Sequence, residues 1–181
     1  MSDPTLSERV KTLVDQALDA IERADSFSSE DAKRPVPNPP ATLHAIAELE
    51  ADLRERGISM PPSLRALLTH YDGVPEFMGP AEGLSLRSAR EIVDAREDDE
   101  ADWEELSPAA SFVFMGGDSP AFVGFLPDSA DDAGEMAVVH IDASGEETEY
   151  DGLVDYLESH LGYLNDVIES NEADRADLPD D

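Results

Sequence analysis

The chain has 181 residues, with 43 Asp and Glu against 12 Lys and Arg, four His and no cysteine. A formal charge of −31 opposes nucleic acid and anionic membrane, which carry the same sign. The missing cysteine excludes disulfide scaffolds, thiolate metal sites and a cysteine nucleophile, and 40% hydrophobic residues suffice for one domain with extensions.

No stretch approaches the length of a membrane span, and MSDPTLSERV has neither the basic start nor the apolar run of a secretory signal. A cytoplasmic protein is the expectation. The charge is lopsided: residues 97–181 hold 26 acids against the single Arg175, whereas residues 1–96 hold 17 acids against 11 bases. Two readings fit. Adaptation to high salt produces acidic, lysine-poor surfaces, and a docking surface for a basic partner produces the same sign locally. The asymmetry itself is better explained by the second.

Residues 5–24 are predicted to form an amphipathic helix, because Leu6, Val10, Leu13, Val14, Ala17, Leu18 and Ile21 recur at helical spacing. The stripe serves either to pack on the main domain or to dimerise. Residues 25–41 carry four prolines and no periodicity, which predicts a linker or extended strap. A helix over about 42–56 presents Leu43, Ile46, Ala47, Leu49 and Leu53 and stops at Gly57. Pro62 then opens a third helix, whose face is Leu64, Leu67, Leu68 and Tyr71, with Asp72-Gly73 as a turn.

Leu84 to Arg87 fits a short strand. Ser88 and Glu91 have capping-box spacing, so SAREIVDARE is predicted to be a short helix. EDDEADWEEL is an acidic loop or helix end. The runs 111–115, 121–126 and 136–142 are short, rich in Val and Phe, and separated by turn residues, as antiparallel strands require. EETEY is a possible fourth strand. A closing helix is expected over about 152–168, and residues 169–181 are expected to be a disordered acidic tail. The strand connections are too short for parallel crossovers, so the fold class is α+β: an antiparallel sheet flanked by helices, with an extra N-terminal helix.

The segment AIAELEADLRERGISMPPSLRALLTHYDGV, residues 45–74, resembles the signature of the SUKH superfamily of Smi/Knr-like proteins. Ile46, Leu49 and Glu50 match its Ile-x-x-Leu-Glu element. Pro61 or Pro62 with Leu64, Leu67 and Leu68 match its second helix, and Tyr71-Asp72-Gly73 stands where the family usually has Tyr-Asn-Gly. The later order of strands and the closing helix is similar, so the resemblance covers about 42–165, within a domain bounded at 42–168. It implies an α+β protein-binding scaffold without catalytic residues. Many bacterial members are thought to be immunity proteins that neutralise a cognate toxin, often a nuclease, and others look like regulatory interaction modules.

The residues carry little recognisable catalytic chemistry. His44, His70, His140 and His160 show no metal-binding spacing, and no nucleophile elbow, phosphate loop or dinucleotide fingerprint is present. GGDSP at 116–120 reads as a turn. DSADDAGE at 128–135 clusters carboxylates, yet Ala130 and Gly134 occupy positions where an EF-hand needs oxygen ligands. No enzyme, cofactor or metal is expected. The candidate docking segment is Trp103 among Asp98, Asp99, Glu100, Asp102, Glu104 and Glu105, since aromatic anchors dominate interfaces and surrounding acids steer a basic partner. The alternative is that Trp103 belongs to the domain's own core. The expected function is therefore immunity against a basic toxin; the alternative is a regulatory or scaffolding module without one.

Overall fold

The computed structural model describes residues 4–27, 32–74, 84–94, 114–116, 122–142 and 144–176. The fold is α+β, with helices packed around a small antiparallel sheet.

Helix α1 spans Leu6–Asp25. Its start is a reciprocal capping box: the Glu8 amide donates to the Thr5 hydroxyl at 3.3 Å, and the Thr5 amide donates to the Glu8 carboxylate at 2.9 Å. Val10, Val14, Ala17, Leu18 and Ile21 are completely buried, mainly against the closing helix and also against α3. The apolar stripe is thus used inside the chain, and the N-terminal helix shares the main core. Each large side chain buried this way contributes about 1.5–3 kcal/mol.

Residues 32–41 form neither helix nor strand and are tied by backbone hydrogen bonds to the residues of α3 and just after it. The Asn38 and Ala41 amides donate to the carbonyls of Gly73 and Leu68, at 3.0 and 2.9 Å. Helix α2, Leu43–Glu55, is capped by Thr42, whose hydroxyl accepts from the Ala45 amide at 3.1 Å. Ile46, Leu49 and Leu53 are buried, but Leu43 is 87% exposed and Ala47 is exposed, so the apolar face is narrower than the periodicity suggests. Gly57 follows with φ +78°, the left-handed conformation that ends the helix.

Helix α3 spans Pro62–His70 and buries Ser63, Leu64, Ala66, Leu67 and Leu68. Residues 84–87 make only a bridge, Val74 with Leu86. Helix α4, Ala89–Asp94, carries the expected capping box, with the Ser88 amide donating to Glu91 at 2.7 Å and the Glu91 amide to Ser88 at 3.2 Å.

Four strands follow: β1 Phe114–Gly116, β2 Phe122–Phe125, β3 Val138–Ile141 and β4 Glu147–Tyr150. They pair in chain order as an antiparallel meander, with an irregular register between Phe114 and Gly116. Val123, Phe125 and Val138 enter the same core as the helices.

The closing helix α5 runs Leu153–Ala176, eight residues past the expected end. The expectation of a disordered tail from residue 169 is corrected to that extent: residues 169–176 are helical. Charge did not prevent it, because the last turns find partners on α1 and in the two residues that follow it. Glu172 pairs with Arg23, and Arg175 donates to the carbonyls of Ser26 and Phe27 at 3.5 and 3.3 Å while lying 4.7 Å from the Phe27 ring centre. A cation in the last turn also suits the helix dipole.

Candidate functional site

The SUKH-like motif residues converge where α1, the strap, α2, α3 and α4 meet. Ile46 and Leu49 are in the core, and Glu50 forms an ion pair with Arg65, tying α2 to α3. Pro61 stands at the N-cap position of α3 without a side-chain cap, and Pro62 occupies its first turn, where a missing N–H removes no helical bond. Leu64, Leu67 and Leu68 fill the space beneath.

The tripeptide after α3 joins the elements. Tyr71 donates its hydroxyl to Asp15 on α1 at 2.8 Å. The Asp72 carboxylate accepts from the Ala89 amide at 2.8 Å, capping α4, while the Asp72 amide donates to the Pro39 carbonyl at 3.0 Å and its carbonyl accepts from the Asn38 side chain at 2.8 Å. Gly73 has φ +85°, and a Cβ there would lie 2.5 Å from the Leu86 carbonyl oxygen and 2.7 Å from the Ser88 nitrogen. Glycine is required twice over, by backbone conformation and by space.

Asp15 is the centre of a polar cluster. Lys11 lies at 2.6 Å, Arg34 at 3.0 Å and the Tyr71 hydroxyl at 2.8 Å, and Arg34 also reaches Asp19 at 2.5 Å. Burial opposes the Asp15 charge, but the bonds from Lys11, Tyr71 and Arg34 outweigh it and hold its pKa below the ordinary carboxylate value. Burial, then the bond to Asp15, pushes Tyr71 up. The cluster therefore holds charges in place and anchors the strap through Arg34; its groups are tuned away from proton transfer at neutral pH.

A second polar anchor was not foreseen in the sequence. Glu135, in the loop before β3, accepts from the Ser63 amide at 3.1 Å and the Ser63 hydroxyl at 2.5 Å, capping α3 across 72 residues. The 128–135 loop is organised by its own backbone: Asp131 accepts from the amides of Ala133 and Glu135, both at 2.8 Å. That carboxylate oxygen serves a turn. Among the described residues, no group of three His, Cys, Asp or Glu converges as a metal ion would require.

An aromatic cluster lies between the sheet and α5. Tyr156 contacts Tyr150 edge-on at 5.4 Å and stacks on His160 at 6.1 Å, and His140 approaches Tyr156 at 6.4 Å. The His160 Nε2 is buried without a hydrogen-bond partner. Burial, with a smaller effect from His140, pushes its pKa down to about 4, so the ring is neutral at neutral pH. The other histidines are placed separately: His44 is exposed on α2, and His70 meets Ser7 at 2.8 Å.

Two clefts of about 330 Å³ open on the described surface, one between α1 and α5 beside Arg23 and Asn165, the other between α2 and α4 beside Glu48 and Arg90. Neither gathers a nucleophile with a base. The sheet half has a different character. Nine acids lie from Asp128 to Asp151, and among the described residues none pairs with a Lys or Arg. The docking segment expected around Trp103, with Asp98, Asp99, Glu100, Asp102, Glu104 and Glu105, lies outside the described residues, as do residues 177–181 of the expected tail.

Fold and site together define a compact α+β scaffold whose motif residues do structural work and whose sheet half presents unpaired carboxylates. No family model matches the chain, and no curated protein matches it as a relative. No helix among the described residues is long and apolar enough to cross a membrane.

Proposed function

We propose that this chain is a non-enzymatic, SUKH-like binding protein of the cytoplasm, and that its role is immunity: it occludes a basic toxin domain. Supporting this reading, the motif residues are those that cap and tie the scaffold, which is how a short signature of packing residues persists without a catalytic centre. The observation that carries it is the unpaired acidity of the sheet half. Carboxylates with no internal cation are available to the Lys and Arg groups with which a nuclease holds phosphate, and they raise the association rate of a basic partner.

The test is binding to a basic toxin domain, taken from the gene's neighbourhood where one is encoded there, measured across a salt series. A complex of this kind weakens as salt rises, and exchanging Asp98, Asp99, Glu100, Asp102, Glu104 and Glu105 for their amides slows association. Absence of salt-sensitive binding defeats the proposal, and recovery of an endogenous non-toxin partner instead would establish the regulatory role.

A further inference from the structure

The sheet ends on β4, and its register determines which backbone groups remain free. The Asp142 amide donates to the Glu146 carbonyl at 3.1 Å, so this opposed couple belongs to the hydrogen-bonded set of the antiparallel ladder. Bonded and non-bonded couples alternate along such a ladder. With His140 opposite Thr148 and Val138 opposite Tyr150, those residues face β3, and the N–H and C=O of Glu147 and Glu149 point away from the sheet. The other side of β3 agrees. The Leu126 amide donates to the Ala137 carbonyl at 2.9 Å, which turns Ala137, Val139 and Ile141 towards β2 and leaves the alternate residues for β4.

Glu147, Thr148 and Glu149 are all exposed, and among the described residues nothing pairs with this outer edge. The Glu147 and Glu149 side chains share one sheet face, because strand neighbours two apart do. Glu146 and Asp151 flank them, and the stretch 146–151 contains four acids and no base. A second copy of this chain is the wrong occupant, since pairing β4 with itself sets glutamates beside glutamates. An extended segment with Lys or Arg at alternate positions is the complementary one: its backbone meets the two free N–H and two free C=O groups, and its cations fall opposite Glu147 and Glu149.

We propose that the β4 edge receives a basic, extended segment of the partner protein as an added antiparallel strand. The inference deepens the reading of the chain as a binder of basic proteins and rests on it. The probe is a seven-residue peptide, acetyl-Thr-Lys-Val-Lys-Val-Lys-Thr-amide, with two controls of equal charge, one N-methylated at its lysine amides and the other at its valine amides. In antiparallel addition the lysine amides face β4 and the valine amides face away. The parent and valine-methylated peptides bind and slow exchange of the Glu147 and Glu149 amide protons, whereas lysine methylation weakens binding roughly tenfold or more through lost backbone bonds.

On the protein side, Glu149→Pro removes an outward donor without touching the β3 ladder, a position at which a sheet edge tolerates proline. It loses more binding than Glu149→Gln, which keeps that donor. Equal binding of the two methylated peptides, or amide changes confined to residues outside 146–151, overturns the proposal without reference to any variant's stability. A salt-sensitive complex with a basic toxin domain that leaves the Glu147 and Glu149 amides unprotected also overturns the edge, while the immunity reading stands. Peptide docking on β4 with no affinity for that toxin supports the edge and defeats the toxin reading.

Discussion

Replacing Gly73 with alanine tests the central joint of the scaffold. The residue has φ +85°, a conformation that costs an L side chain about 1–2 kcal/mol. The added Cβ would also meet the backbone of residues 86–88, 2.5 Å from the Leu86 oxygen, 2.7 Å from the Ser88 nitrogen and 2.9 Å from the Arg87 carbonyl carbon. Backbone cannot rotate aside as a side-chain tip does, so 84–88 must move, at a further cost of about 1–3 kcal/mol. That movement breaks the Val74–Leu86 bridge, whose bonds are 2.7 and 2.9 Å, and draws Ala89 from its Asp72 cap. The expected loss is roughly 2–5 kcal/mol, a large part of the about 5–15 kcal/mol that holds a typical domain together. Gly57 is the internal control: its φ is +78°, but nothing lies within 4 Å of a Cβ there, so Gly57→Ala bears only the backbone cost of about 1–2 kcal/mol. Urea titrations of both variants give the comparison. Equal losses would refute the claim that close approach of 86–88 fixes glycine at position 73.

Asp72→Ala removes the acceptor for the Ala89 amide and should cost about 1 kcal/mol in urea titration, while Asp72→Asn, the residue usual in the resembling family, keeps an acceptor there and should stay within about 0.5 kcal/mol of the parent. Glu135→Ala strips two bonds from Ser63, which is 1% exposed, for an expected loss of about 2 kcal/mol; a loss as small as that of an exposed Glu→Ala change would remove Glu135 as the cap of α3. His160 gives a pH signature. Its pKa falls from the ordinary 6.5 to about 4, so the unfolded chain takes up the proton first; the stabilisation is complete above pH 6.5 and is lost as pH falls towards 4, by about 3 kcal/mol in all. Carboxylates titrate in the same range, so the readout is the difference from His160→Phe, whose stability curve should lack this component.

The helices were legible because their apolar residues recur every three to four positions and their ends carry Thr5, Thr42, Pro62 and Ser88. The strands were legible as short Val- and Phe-rich runs between turn residues, and EETEY, foreseen only as a possible strand, is β4. What escaped were contacts between residues far apart in the chain. Local composition at 169–176 signals disorder, whereas the decisive partners, Arg23, Ser26 and Phe27, come from the other end of the sequence. Glu135 reads as one more acid in an acidic loop until the fold sets it over the start of α3. Of the site, the motif around Tyr71-Asp72-Gly73 was readable as a pattern, but its role as a joint between strap and helices was not. The outward direction of Glu147 and Glu149 depends on ladder register, which no local signal carries.

Pairing also changes the meaning of the charge asymmetry. Arg9, Lys11, Arg23, Arg34, Arg65 and Arg90 each pair with an acid on a helix. Two of those acids, Glu158 and Glu172, belong to α5 and so to the acid-rich half of the sequence. Folding thus uses cations of the helices and the strap to neutralise helical acids, and among the described residues it leaves the acids from Asp128 to Asp151 without a Lys or Arg partner. At physiological ionic strength a charge is felt over about 8 Å, so a partner near β4 meets a field that no Lys or Arg of the described ion pairs offsets. An acid on α1 or α5 can then be exchanged for its amide at some cost to local packing and little to that field. The same exchange at Glu147 or Glu149 touches no ion pair among the described residues and removes charge from an edge where the backbone is also free to bond, which is why that edge, more than the net charge, is where recognition should be sought.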